Sequence, residues 1–190
     1  MQTATLVEGP PSADEQRRVL LVIGGLPGSG KTTLLRRLLA QELPGVRGLD
    51  SEQVAGRLRA AGIRLPYRVL RPWVHAWHRW RVLRGIGGDT PVVVLTDPWT
   101  SPRWRATVRR KAEAAGRRVR VVLLDASPEE AAHGQVARGR TLPARAMRRH
   151  ADRWAAFRQS VGEAAGLTVV DRAQADRSTL AGLLAGRPGA

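Results

Sequence analysis

Eight consecutive residues, Gly25-Leu26-Pro27-Gly28-Ser29-Gly30-Lys31-Thr32, carry the most specific chemistry in this chain. They match the pattern G-x-x-x-x-G-K-[ST] at every fixed position. Glycines let backbone N–H groups turn inward around an anion, and the N-terminus of a following helix adds partial positive charge. In such a loop Lys31 reaches the β- and γ-phosphates of a nucleotide, and the Thr32 hydroxyl holds Mg²⁺. Gly25, Pro27, Gly28, Ser29, Gly30, Lys31, Thr32 and Thr33 are therefore the candidate nucleotide-binding residues. Lys31 is informative in itself. Of 32 Lys+Arg only Lys31 and Lys111 are Lys, and a chance Gly-rich turn in this composition would carry Arg.

The fate of the γ-phosphate depends on what stands around the loop. Asp97 closes a hydrophobic run and is a candidate second metal-site carboxylate. Motor ATPases usually follow that Asp with a water-activating Glu, but here Pro98 follows. The chain has no Asn, so the Asn-Lys-x-Asp motif that reads guanine is absent. What remains is a kinase, which must position an acceptor hydroxyl, remove its proton and neutralise the moving phosphoryl group. A second reading is a nucleotide-binding regulatory or interaction protein with little turnover. No Cys is present, which excludes a disulfide scaffold, a Cys-ligated zinc site and a thiol nucleophile.

These residues need a frame. Val19–Gly24, Pro91–Thr96 and Arg118–Leu124 are continuous β-branched runs, the pattern of strands buried on both faces. Shorter strands are expected near Val46–Leu49 and at Leu167–Val170. Helical patterns alternate with them: after the phosphate loop, at Ser51–Ala61, Pro72–Leu83, Pro102–Ala115, Pro128–Arg138, Pro143–Val161 and Ser178–Leu184. This alternation predicts an α/β fold of the P-loop NTPase type, with a mostly parallel sheet of about five strands and helices on both faces. Residues 1–17 read as a flexible tail, 18–185 as a single domain and 186–190 as a frayed end. The tail lacks the order of a signal peptide. The longest apolar run, Val19–Leu26, falls far short of the ~20 residues of a membrane span, so a cytoplasmic protein is expected.

In the order and spacing of its motifs, Val19 to Val161 resembles the small P-loop kinases grouped with zeta toxins, chloramphenicol phosphotransferase and the 5′-hydroxyl polynucleotide kinases. The resemblance is strongest at the phosphate loop and implies ATP, Mg²⁺ and a hydroxyl-bearing acceptor. It implies that Asp50, in Gly48-Leu49-Asp50-Ser51, accepts the proton of the attacking hydroxyl. Independently, a carboxylate at the C-terminal edge of a sheet faces the ligand crevice. The plainer reading is that Asp50 or Ser51 caps the next helix. Asp97 falls where these kinases carry Asp-Ala-Thr-Asn, although the Asn is missing, which makes it a candidate to orient the metal or the acceptor. Arg105 or Arg103 takes the place of an Arg on the following helix, with Arg105 the candidate acceptor contact. Arg138-Gly139-Arg140-Thr141-Leu142-Pro143 resembles their lid, which makes Arg138 and Arg140 the candidates to close over the phosphates. Arg145, Arg148 and Arg149 read as a solvated helix face.

The net charge of +16 has two readings, a polyanionic partner or a compositional preference for Arg. The preference explains Arg over Lys but not the scarcity of acids. From Gln53 to Gly88 there are eight Arg and no acid. Within that stretch Trp73, Trp77 and Trp80 share one helix face, and His75 and His78 show no metal-ligand pattern. A Trp stripe at this spacing is read first as packing, here onto the sheet or the lid, and second as a surface for stacked bases. Trp99 and Trp104 follow Asp97 and are the better candidates to line an acceptor pocket. The acceptor class stays open at this point: antibiotic, sugar, nucleoside or a nucleic-acid 5′ end.

Overall fold

A computed structural model describes residues 18–62, 67–136, 143–161 and 166–188. The five strands are β1 (Val19–Gly25), β2 (Val46–Leu49), β3 (Val92–Thr96), β4 (Arg118–Leu124) and β5 (Leu167–Val170). They form one sheet in the order β2-β3-β1-β4-β5, and every pairing is parallel. The helices are α1 (Lys31–Leu39), α2 (Ser51–Ala60), α3 (Tyr67–Gly87), α4 (Pro102–Ala114), α5 (Pro128–Val136), α6 (Ala144–Val161), α7 (Arg172–Arg177) and α8 (Leu180–Ala185). No helix among the described residues is long and apolar enough to cross a membrane.

The continuous apolar strands have the reason expected of them, since both faces of the sheet are covered. Leu20, Val22, Val93, Leu95, Val121 and Leu123 face one layer, packed with Val82 and Ile86 of α3, Trp104 and Val108 of α4 and Trp154 and Phe157 of α6. Leu21, Ile23, Val94, Val122 and Leu124 face the other, packed with Leu34, Leu35 and Leu38 of α1, Ala175 of α7 and Leu180 and Leu183 of α8. Alternate residues of each strand thus serve opposite cores.

Three elements differ from the sequence expectation. Helix α3 begins at Tyr67, ahead of Pro72, which lies inside it rather than at its start. Proline is favoured in a first turn because no N–H is needed there, but one missing bond is tolerated inside a long helix that is held by tertiary packing. The expected last helix is α8, and a short helix that was not expected, α7, precedes it. α7 is set by a capping box, in which Asp171 accepts from Gln174 N–H while the Gln174 side chain accepts from Asp171 N–H. Thr179 then caps α8. Strand β3 starts at Val92, because Pro91 has no N–H and contributes only its carbonyl, which accepts from Val19 N at 2.9 Å. Gly186 ends α8 in a left-handed conformation and the Arg187 N–H bonds back to Gly182 O, so the chain is tied down at least that far.

Candidate active site

All five strands run the same way, so the turns after β1, β2 and β3 open on one edge of the sheet. The turn after β1 is the Gly25–Thr32 loop. Gly25, Gly28 and Gly30 have φ of +147°, +94° and +101°, conformations open to glycine that expose successive backbone amides. Gly30 caps α1 without a side-chain bond, and the first turn of α1 has no acid. Thr32 is buried in that turn and Thr33 is exposed. The Lys31 ammonium donates to Gly25 O at 2.9 Å and to Leu26 O at 2.6 Å, which holds it over the loop. Ser29 is buried, and its hydroxyl oxygen has no hydrogen-bond partner.

The loop is seated on α5. A Cβ on Gly28 would collide with the carbonyl of Ala131, and one on Gly134 with the carbonyl of Gly28. Two glycines thus let backbone meet backbone. Gln135 fastens the contact by donating to Pro27 O at 3.0 Å, and lies 3.2 Å from the Met147 sulfur of α6. Sequence reasoning passed over Gln135 and Gly134, because nothing local marks a residue that supports a loop about a hundred positions away.

The turn after β2 begins with Asp50, which is 2% exposed. Its Oδ1 accepts from Glu52 N–H at 2.7 Å, so Asp50 does cap α2. Its Oδ2 is buried with no hydrogen-bond partner. Capping uses one oxygen and leaves the other available, so the two readings of this residue do not exclude each other. His78 of α3 is buried beside it, and burial holds its imidazole at about 4, despite the opposing attraction of Asp50. Neutral at pH 7, His78 forms no ion pair with Asp50. Next to it Arg81 is buried, donates to Gln53 Oε1 at 3.2 Å and keeps a second guanidinium nitrogen unpartnered. Burial, then Arg57 and Arg47, disfavour its charge.

The turn after β3 carries Asp97. Its Oδ1 accepts from Trp99 N–H at 2.6 Å and its Oδ2 from the Trp104 indole N–H at 3.1 Å. Burial pushes the carboxyl above its ordinary value, while these two bonds and the charges of Lys31 and Arg79 pull it back. Lys31 and Asp97 are therefore near neighbours across β1 and β3. Arg79, one of the eight Arg between Gln53 and Gly88, places its guanidinium 5.0 Å from the Trp104 ring centre and within electrostatic reach of Asp97. Among the described residues no cluster of three or more His, Cys, Asp or Glu forms a metal site by itself.

A family model described as an AAA domain matches residues 20–164. The chain belongs to that family. No curated protein sequence matches it. Among solved structures, a gluconokinase from Sinorhizobium meliloti 1021 is 18% identical with a TM-score of 0.58, over 90% of this chain and 92% of that one. A structure from the PezAT chromosomal toxin-antitoxin system of Streptococcus pneumoniae is 13% identical with a TM-score of 0.63, over 87% and 70%. The Deinococcus radiodurans tunicamycin resistance protein is 18% identical with a TM-score of 0.51, over 83% and 87%. At these identities the likeness is one of fold.

Within this AAA domain the remaining candidates divide. Trp99 is fully buried in the core with φ +60°, so as placed it offers no surface to an acceptor. Trp104 is also core, and its indole serves Asp97. Arg105 donates to Trp99 O at 2.8 Å and covers the Phe157 ring at 4.4 Å, a clamp between α4 and α6. Arg103 is exposed, as are Arg145, Arg148 and Arg149. Arg138 and Arg140 lie outside the described residues. The expected packing of the Trp73, Trp77 and Trp80 stripe is not observed. The three side chains are 73%, 39% and 55% exposed, because α3 faces the core with Val74, His78, Val82 and Ile86 instead.

Proposed function

We propose that the protein is an ATP- and Mg²⁺-dependent phosphotransferase that moves the γ-phosphate of ATP to a hydroxyl of a small molecule or of a nucleic-acid end. The observation that carries this reading is the buried, unpartnered Oδ2 of Asp50 at the same sheet edge as Lys31 and Asp97. A buried carboxylate oxygen without a partner costs about 1–3 kcal/mol, and such sites are kept where chemistry uses them. The kinase-like neighbours and the family support the same reading.

The loop fits a nucleotide triphosphate: its glycines hold amides in conformations that can face an anion, and the Ser29 hydroxyl has no competing bond. Loop amides and Lys31 would hold the β- and γ-phosphates, and Thr32 with Asp97 would hold Mg²⁺, which supplies charge neutralisation on the phosphates. Asp50 would take the proton of the acceptor hydroxyl as its oxygen bonds to the γ-phosphorus and ADP departs with the bridging oxygen. Arg138 and Arg140 would close over the phosphates, and Arg79, beside Asp97, is a further cation on this side. The unit that acts in this way is the segment 18–185.

The test is γ-labelled ATP incubated with a panel of alcohols, sugars, nucleosides and 5′-hydroxyl oligonucleotides. Acceptor-dependent transfer is expected. ATP binding with no acceptor-stimulated turnover across the panel would instead indicate a nucleotide-binding regulator.

A further inference from the structure

Helix α3 turns one face toward solvent, where Trp73, Trp77 and Trp80 are all exposed. Trp73, Trp77, Trp80 and Arg84 follow at steps of four, three and four residues, which places them in a narrow arc. Val74, His78, Val82 and Ile86 hold the other side of the helix in the core. Three tryptophans are the largest apolar side chains a surface can carry, and a contiguous aromatic file exposed to water marks a binding surface. Helical rise separates the rings by roughly 6 and 4.5 Å along the axis. The Arg84 guanidinium lies 5.4 Å from the Trp80 ring centre, at the end of the file.

Charge identifies the occupant. The sequence from Gln53 to Gly88 has eight Arg and no acid, and Arg84 stands at the end of the file, so the charge here favours an anionic partner. Planar rings in single file beside cations suit bases that stack while their phosphates are neutralised. An interfacial helix needs a broad apolar face rather than a file one ring wide, which disfavours a lipid surface. A duplex buries the faces of its bases and offers nothing for the rings to stack on.

We propose that this outer face of α3 binds single-stranded nucleic acid, with Trp73, Trp77 and Trp80 stacking bases and Arg84 contacting phosphate. On the opposite side of the same turns, His78 lies beside Asp50, so a bound strand passes within about one helix diameter, ~10 Å, of the candidate acceptor side. The proposal goes beyond phosphotransfer and stands without it, because docking needs neither ATP nor Asp50.

The experiment is a fluorescence-anisotropy titration of a labelled oligothymidylate with the full chain at low salt and without nucleotide. Binding is expected. Each of Trp73→Ala, Trp77→Ala and Trp80→Ala should weaken it by roughly 10-fold, and Phe at the same positions should restore most of the loss. Melting temperatures should stay unchanged because the rings are exposed. Arg84→Ala should lower the slope of log affinity against log salt by about 1. The proposal is overturned by absence of binding, by equal affinity for a duplex of the same length, by alanine variants that bind like the parent, or by preference for phosphatidylglycerol vesicles over the strand.

Discussion

Around Gly28 the loop after β1 meets α5 backbone against backbone, with no room for even a methyl group. Helix α3, by contrast, is held along one side only and turns Trp73, Trp77 and Trp80 to water. The first region does its work with main-chain amides, whose placement depends on glycine conformations and on close support from Gly134 and Gln135. The second works with side chains on a rigid rod, where only the buried side is constrained. The loop region should therefore fail abruptly on small changes, and the outer face of α3 should tolerate large ones.

Gly28→Val probes the loop most harshly. It places a branched side chain at φ +94° against Ala131, so stability should fall by more than ~3 kcal/mol and nucleotide binding should be lost, read by thermal melting and ATP titration. Asp50→Asn should keep ATP binding and fold but reduce transfer by ~10²-fold or more, the scale of general-base catalysis. Unchanged transfer would remove Asp50 from the chemistry and leave it a helix cap.

The buried side of α3 is sharpened by pH. His78 has a folded value of about 4 against an ordinary 6.5, so between these the unfolded chain binds the extra proton. Stability should therefore be complete above pH 6.5 and decline as pH falls toward 4, by ~3 kcal/mol in all. Denaturant titrations across that window should show the decline in the parent and much less of it in His78→Leu. A flat profile in the parent would place water at the imidazole. The smallest effect comes from open helix surface. Gly56 of α2 has nothing within 4 Å of an added Cβ, so Gly56→Ala should raise stability by about 0.5–1 kcal/mol, in contrast to any change at Gly28.

Much of the frame was legible because it is written in local pattern. β-branched runs marked β1, β3 and β4, and the G-x-x-x-x-G-K-T motif marked the loop, since each depends on neighbours within a few residues. The α3 start was missed because Pro72 is overruled by packing from Val74, Val82 and Ile86, which are not visible in the proline itself. Trp99 and Arg105 looked like acceptor contacts by position, yet they join α4 to the core and to Phe157. Arg117 shows how part of the charge is spent inside the fold: it donates to the carbonyls of Ile86 in the last turn of α3 and of Gly88 and Pro91 beyond it, at 2.6, 2.7 and 3.2 Å.

By itself, then, the amino-acid order determined the parallel α/β frame, the phosphate loop and the lack of an Asn-Lys-x-Asp motif and of any thiol, because these follow from residue type and short spacing. Which oxygen of Asp50 is left without a bond, that His78 rather than a charged partner stands beside it, that Gly134 must carry no side chain, and that three tryptophans face water were decided only by tertiary structure. Each of these turns on which side of a helix meets a residue distant in sequence, and helical periodicity names the faces without saying which one the core will take.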